Sequence, residues 1–243
     1  MLAALGWGAL AASSLLLGAL LAFARPWPPR QVGLVLSFGA GALIAAVSFE
    51  LFAEGVIVGS AASTAIGLAA GALTYYALDG AISSRRGTGR GRAGRAEGSD
   101  TGTALALGAF LDGIPEQLVL GIGLAAGEGV GVGLLVAIFV SNLPEAIGSA
   151  TAMSEGGRRE RGPILRLWAG VAGICALATI VGYALADAVS GEASAAIDGF
   201  AAGALLVMLI DSMIPDARSQ GGRVAGLVTT LGFAVAAGLS SVS

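Results

Sequence analysis

Residues 38–55 read FGAGALIAAVSFELFAEG, and residues 200–217 read FAAGALLVMLIDSMIPDA. At a constant offset of 162, Phe38 meets Phe200, the GAL of 41–43 meets the GAL of 203–205, and Glu54 meets Asp216. Two apolar segments that share a register in this way form an internal repeat. Each belongs to a run long enough to cross a bilayer, so the meaning of the repeat depends on how many crossings lie between its copies.

The composition decides the class. Of 243 residues, 56% are hydrophobic and only 12% charged, with a mean hydropathy of +0.85. That balance excludes a soluble domain and defines an all-α polytopic membrane protein. Apolar runs fall at about 2–24, 32–54, 56–82, 103–127, 129–153, 164–189, 195–216 and 223–242, giving eight spans within a single transmembrane domain, 1–243. The alternation of a β-barrel is absent, so the spans are helices. Forty glycines suit close helix packing in lipid. All thirteen cations are arginine, a bias typical of a GC-rich prokaryotic genome.

The arginines then orient the chain. Arg25 and Arg30 lie between spans one and two, and Arg85, Arg86, Arg90, Arg92 and Arg95 between three and four. Arg158, Arg159, Arg161 and Arg166 lie between five and six, Arg218 and Arg223 between seven and eight. All fall on one side, which the positive-inside rule makes cytoplasmic; both termini are then extracytoplasmic and the location is the cell (inner) membrane. The N-terminus lacks a basic leader, so despite Ala22-Phe23-Ala24 the first run reads as a retained span. Residues 83–102, rich in Gly, Arg and Ser, read as a flexible cytoplasmic loop that serves topology and binds no nucleic acid.

Spans two and seven, which carry the repeat, are five apart and run in opposite directions. This is the inverted-topology repeat of many secondary transporters, and it implies three helices, a central pair and three more, a 3+2+3 arrangement. The central pair carries the chemistry. Span four holds LDGIPEQ (111–117) and span five VSNLPEA (140–146). Asp112 and Glu116 share one helix face, as do Ser141 and Glu145, with Asn142 three residues before Glu145. An acid at the bilayer centre costs roughly 2.5–3.5 kcal/mol. With no His or Lys in the chain and every Arg in a loop, these acids need protons, water or a cation from solution. Each proline also frees a carbonyl, that of Leu111 or Val140. Carboxylates, carbonyls, a hydroxyl and an amide at one depth make an oxygen-rich cation cage, with Gly113 leaving room beside it. Cys175, in an apolar run, reads as inert packing.

The two motifs resemble those of the ZIP (zinc/iron-regulated transporter-like) family, whose fourth helix carries His-Asn-x-Pro-Glu-Gly and whose fifth carries a related Pro-Glu motif. That family is also eight-helical, with both termini outside and a 3+2+3 repeat. The resemblance implies a metal site of Asp112, Glu116, Ser141, Asn142 and Glu145, with Asp112 in place of a histidine and Gly113 in place of an asparagine. Glu50, Glu54, Asp211 and Asp216 stand where helices two and seven bear ligand motifs in the family, and line the expected path. Gly173 stands where many bacterial members have a helix-six Glu. One metal is therefore expected rather than two.

The expected function is transport of divalent metal cations (zinc, manganese, iron or magnesium) by alternating access, with uptake and a homodimer implied by the resemblance. The carboxylate ligand set favours manganese, iron(II) or magnesium over zinc. The partners are the divalent ion and the bilayer, with no resident cofactor. The alternative is a metal sensor or transport-dead protein of the same fold. An intramembrane enzyme is disfavoured, because Ser141 has no His or Lys base and no HExxH is present.

Overall fold

The computed structural model describes residues 1–25, 27–87, 113–125, 132–155, 161–186 and 191–241. These are almost entirely helical and contain no strand, and several of the helices are long and apolar enough to cross a bilayer. The protein is embedded in a membrane.

Eight helices are described. α1 is Leu2–Ala24. α2 begins at Pro29–Ala46, where Pro29 occupies the first turn and gives up no needed N–H, and continues through a π-helical Val47–Ala53 to Glu54–Val58. α3 is Ala61–Gly87, α4 is Gly113–Ala125, α5 is Val132–Glu155 and α6 is Arg161–Ala186. α7 runs from Gly191–Met208 through a second π-helical segment, Leu209–Met213, to Ile214–Gly221. α8 is Ala225–Ser240.

Several boundaries differ from the sequence reading: α2 starts at Pro29 instead of 32, and α7 runs from Gly191 to Gly221 instead of 195–216. The break between α2 and α3 falls at Gly59 (φ −126°, ψ −106°), beyond residue 55, because the π segment carries the helix past its acidic residues. α3 continues to Gly87, so residues 83–87 of the expected loop are helical; 88–102 lie outside the described residues. The turn between α7 and α8 uses Gly222 at φ +68°, a conformation open to glycine without strain.

Glycines set the packing. A Cβ on Gly41 of α2 would collide with the Thr229 carbonyl of α8 and approach the Phe233 nitrogen to 2.7 Å. A Cβ on Gly203 of α7 would collide with the Leu68 carbonyl of α3 and approach the Ala72 nitrogen to 2.9 Å. Gly232 likewise lies against the Phe38 carbonyl and Gly71 against that of Phe200. Phe38 and Phe200, like Gly41 and Gly203, are 162 apart, and Thr229 and Leu68, like Gly232 and Gly71, are 161 apart. The α2–α8 crossing and the α7–α3 crossing are therefore the same contact made twice. Without side chains between them, the backbones come close enough for Cα–H···O contacts, the small-residue packing that suits helices in lipid.

The same contacts give helix directions. Gly33 meets Gly221 and Gly39 meets Met213, so α2 and α7 are antiparallel. Gly8 meets Thr179 while Arg161 lies over the Phe23 ring at 5.5 Å, so α1 and α6 are antiparallel as well. One end of the bundle thus gathers Arg25, Arg30, Arg161, Arg166, Arg218 and Arg223. There Arg25 stacks 4.1 Å from the Trp27 ring, whose Nε1 donates to the Leu21 carbonyl at 2.9 Å, an arrangement suited to a membrane–water interface.

The apolar core has two parts. One joins Ala12, Leu15 and Ala19 of α1 to Ala146 and Met153 of α5 and Trp168 of α6. The other is built on α2, α7 and α8 and takes in Leu120 of α4 and Ile138 of α5. α5 contributes to both, and so forms the seam between the two groups of helices. α3 is peripheral: 17% of its most apolar stretch is buried, against 61% for α2.

Candidate ion site between the fourth and fifth helices

α4 and α5 meet at Glu116 and Asn142. Glu116 is 1% exposed and Asn142 is 2% exposed, and the Asn142 Nδ2 donates to Glu116 Oε2 at 3.5 Å, a long hydrogen bond. Neither described helix contains an arginine. α5 stays helical through Pro144, which gives up one backbone bond a single residue before Glu145.

Behind Glu116 lies a polar contact with α6. Gln117 is fully buried, and its Oε1 accepts a short hydrogen bond from Thr179 Oγ1. Its Nε2 is buried with no partner among the described residues. A Cβ on Gly113 would stand 2.8 Å from Cys175 Sγ. The space beside Gly113, expected to be free, is therefore occupied by the thiol, and glycine is needed there for α4 to approach α6. Gly173, expected from the resemblance to stand in place of a helix-six ligand, is exposed with nothing within 4 Å of its would-be Cβ. The α6 residues that meet α4 include Cys175, Thr179 and Gly182.

Ser141 is buried and its Oγ donates to its own helix, at the Ile138 carbonyl 3.1 Å away. It also sits where α2 crosses α5, with its Cα 3.0 Å from a would-be Cβ on Gly39. Glu145 is half-buried and lines a cleft of about 340 Å³ with Pro144, Ser149, Ser212, Asp216 and Gln220. Trp27, Pro29 and Thr151 also line this cleft, which places its mouth at the arginine-bearing end.

Towards the opposite end, Glu50 ties helices together. Within the π segment of α2, Glu50 accepts a 2.7 Å hydrogen bond from the backbone N–H of Leu134, in the first turn of α5, and a second from the side chain of Ser240 on α8. A carboxylate there satisfies a donor of the helix start and complements its dipole. Glu50 thus joins three helices instead of lining an open path. Glu54 is half-buried one turn further on, Asp216 lines the cleft at the arginine-bearing end, and Asp211 is exposed and outside the cleft.

Of the expected ligands, then, Glu116 and Asn142 come together, Glu145 faces the cleft and Ser141 is engaged with its own helix. Asp112 and Leu111 lie outside the described residues. Among the described residues, no group of three or more His, Cys, Asp or Glu side chains is placed to hold a metal ion. The Gln117–Thr179 and Gly113–Cys175 contacts went unread in the sequence. Gln117 directly follows the Pro-Glu pair, but nothing in sequence marks Thr179 as its partner. No protein-family model and no curated protein matches the chain.

Proposed function

We propose that the protein is a divalent-cation transporter of the cell membrane that works by alternating access, with eight spans in a 3+2+3 inverted repeat and both termini extracytoplasmic. The motif resemblance makes it a divergent, histidine-free ZIP-type protein, and makes uptake the direction. The observation that carries this reading is the cleft from the arginine-bearing end to Glu145, one turn from the Asn142–Glu116 contact, with Glu50 bonded to the start of α5 towards the other end. A cleft entered from the arginine-bearing end and reaching a carboxylate supports an inward-facing carrier.

In this reading Glu116 and Glu145 bind the ion, with Asp112 and Asn142 completing an oxygen shell. The ion's charge offsets the cost of burying the acids. The α1–α5–α6 group then shifts against α2, α7 and α8 along the seam at α5, closing the inner cleft and releasing Leu134 from Glu50. The carboxylate ligand set selects manganese, iron(II) or magnesium over zinc.

The test is uptake into proteoliposomes across a metal series. Manganese uptake should fall to background in Glu116→Ala and Glu145→Ala protein that still elutes as a folded species. Wild-type rates from either variant would remove the assignment, and a strong zinc preference over manganese would remove the selectivity argument.

A further inference from the structure

Gln117 is fully buried on α4, directly after Glu116. Its Oε1 accepts a hydrogen bond from Thr179 Oγ1 of α6, while its Nε2 meets no acceptor among the described residues. Leaving a buried donor unpaired is costly, and such a group marks an ordered water, an ion site or a second arrangement. Both helices are held closely here. A would-be Cβ on Gly8 of α1 stands 2.6 Å from Thr179 Oγ1, and one on Gly182 of α6 collides with the Leu118 carbonyl of α4. The same stretch of α6 borders the ion site. Cys175, one turn before Thr179, lies against Gly113 and within reach of the Glu116 charge.

Thr179 is the exception among the threonines. The described helices hold five others, Thr64, Thr74, Thr151, Thr229 and Thr230, and each donates its hydroxyl to the carbonyl four residues back. That is the ordinary use of a threonine in a helix. Thr179 donates to Gln117 instead, although the Cys175 carbonyl stands four residues back. A hydroxyl both donates and accepts, so it can serve either end of an amide. With the Gln117 amide turned over, Nε2 would donate to Thr179 Oγ1, and the Thr179 proton would go to the Cys175 carbonyl. The donor then has its acceptor, and the atom left free is Oε1, an oxygen.

We propose that Gln117 is a further ion ligand, whose amide turns over on Thr179 when a divalent cation arrives beside Glu116 and then presents Oε1 to it. The inference deepens the transport reading above and rests on it. A cation beside Glu116 repels the Nε2 protons and attracts the carbonyl oxygen, so the ion itself drives the turn. Amide carbonyls are ordinary ligands of hard divalent cations. A neutral oxygen also completes the shell without leaving another charge buried once the ion has gone.

The experiment is a manganese titration of the purified full chain in nanodiscs, read by the electron paramagnetic resonance of free Mn²⁺. A difference infrared spectrum is recorded on ion binding. Gln117→Leu should weaken binding about tenfold. It should leave thermal unfolding unchanged, because the unpaired donor is removed together with the acceptor. Thr179→Val, which removes the pivot, should weaken binding about threefold, and Thr179→Ser, which keeps the hydroxyl, should restore it. In the wild-type protein the ion should shift a glutamine side-chain carbonyl band, and that shift should be missing in Gln117→Leu. Wild-type affinity and an unchanged difference spectrum in Gln117→Leu would overturn the inference, and would mean that Nε2 holds a buried water. A lower unfolding temperature with unchanged affinity would overturn it too, making the pair a packing contact only. The two readings fail separately. Wild-type protein that neither binds nor moves manganese removes both, whereas normal binding by Gln117→Leu removes this one and leaves the transport reading standing.

Discussion

The α2–α8 crossing and the α7–α3 crossing are built alike, but the helices that make them end differently. In both, a glycine presses on a backbone carbonyl 161 residues from its counterpart, and in both the helix passes into a π segment, beginning at Val47 in α2 and at Leu209 in α7. A π segment shifts the helical register and re-aims the side chains beyond it. In α2 that turn delivers Glu50 to the start of α5, where it joins three helices; in α7 the residue at the same place is Ser212, which lines a cleft. The frame is symmetric and the use made of this position is not.

The frame is the first thing to break. Gly41→Val and Gly203→Val each drive a side chain into a backbone carbonyl that cannot rotate away. Each should destabilise by about 3 kcal/mol or more, the upper range for overpacking. The readout is thermal unfolding of the detergent-purified protein. Because the contact is made twice, the two losses should be similar, and unequal losses would break the equivalence. Gly170→Ala and Gly226→Ala, where no atom lies within 4 Å of the would-be Cβ, should be neutral or slightly stabilising.

The Glu50 tie comes next. Glu50→Ala leaves the Leu134 N–H without its acceptor and frees α5 from α2 and α8. The cost should be about 1 kcal/mol, typical of a lost helix cap. The larger consequence is on local opening, because the bond ties α2 to α5. A loss of about 1 kcal/mol multiplies the locally open population about fivefold. Hydrogen exchange at the Leu134 amide should speed up accordingly in Glu50→Ala. Exchange no faster than in the wild-type protein would mean that other contacts hold these helices together.

Much of this was legible in sequence where the signal is one-dimensional. Apolar runs, the offset between Phe38 and Phe200, and the matched depth of Pro115-Glu116 and Pro144-Glu145 need no partner to be seen. What was not legible depends on which faces meet. Glu50 and Glu54 look like the end of a span, yet α2 runs on to Val58 because the π segment turns Glu50 toward α5. Gly113 looked like room for an ion, yet Cys175 fills it, since the α4–α6 approach is fixed by Gly121 and Gly182 lying against each other's helix backbone. Gln117 gains its partner from the same crossing.

Ser212→Ala is the smallest change and the sharpest test of the asymmetry. Ser212 occupies the place of Glu50 but is exposed and lines the cleft. Its hydroxyl closes nothing here, so removing it should leave stability within about 0.5 kcal/mol, as for a surface substitution. A second helix tied through Ser212 would instead make its loss resemble that of Glu50. Thermal unfolding of Glu50→Ala, Ser212→Ala and the double variant decides between these. If the two residues act at separate ends, the losses should add within about 0.5 kcal/mol, because distant sites without shared partners are independent. Coupling well above that value would mean that the two ends communicate through the α2–α7 contact even in the resting protein.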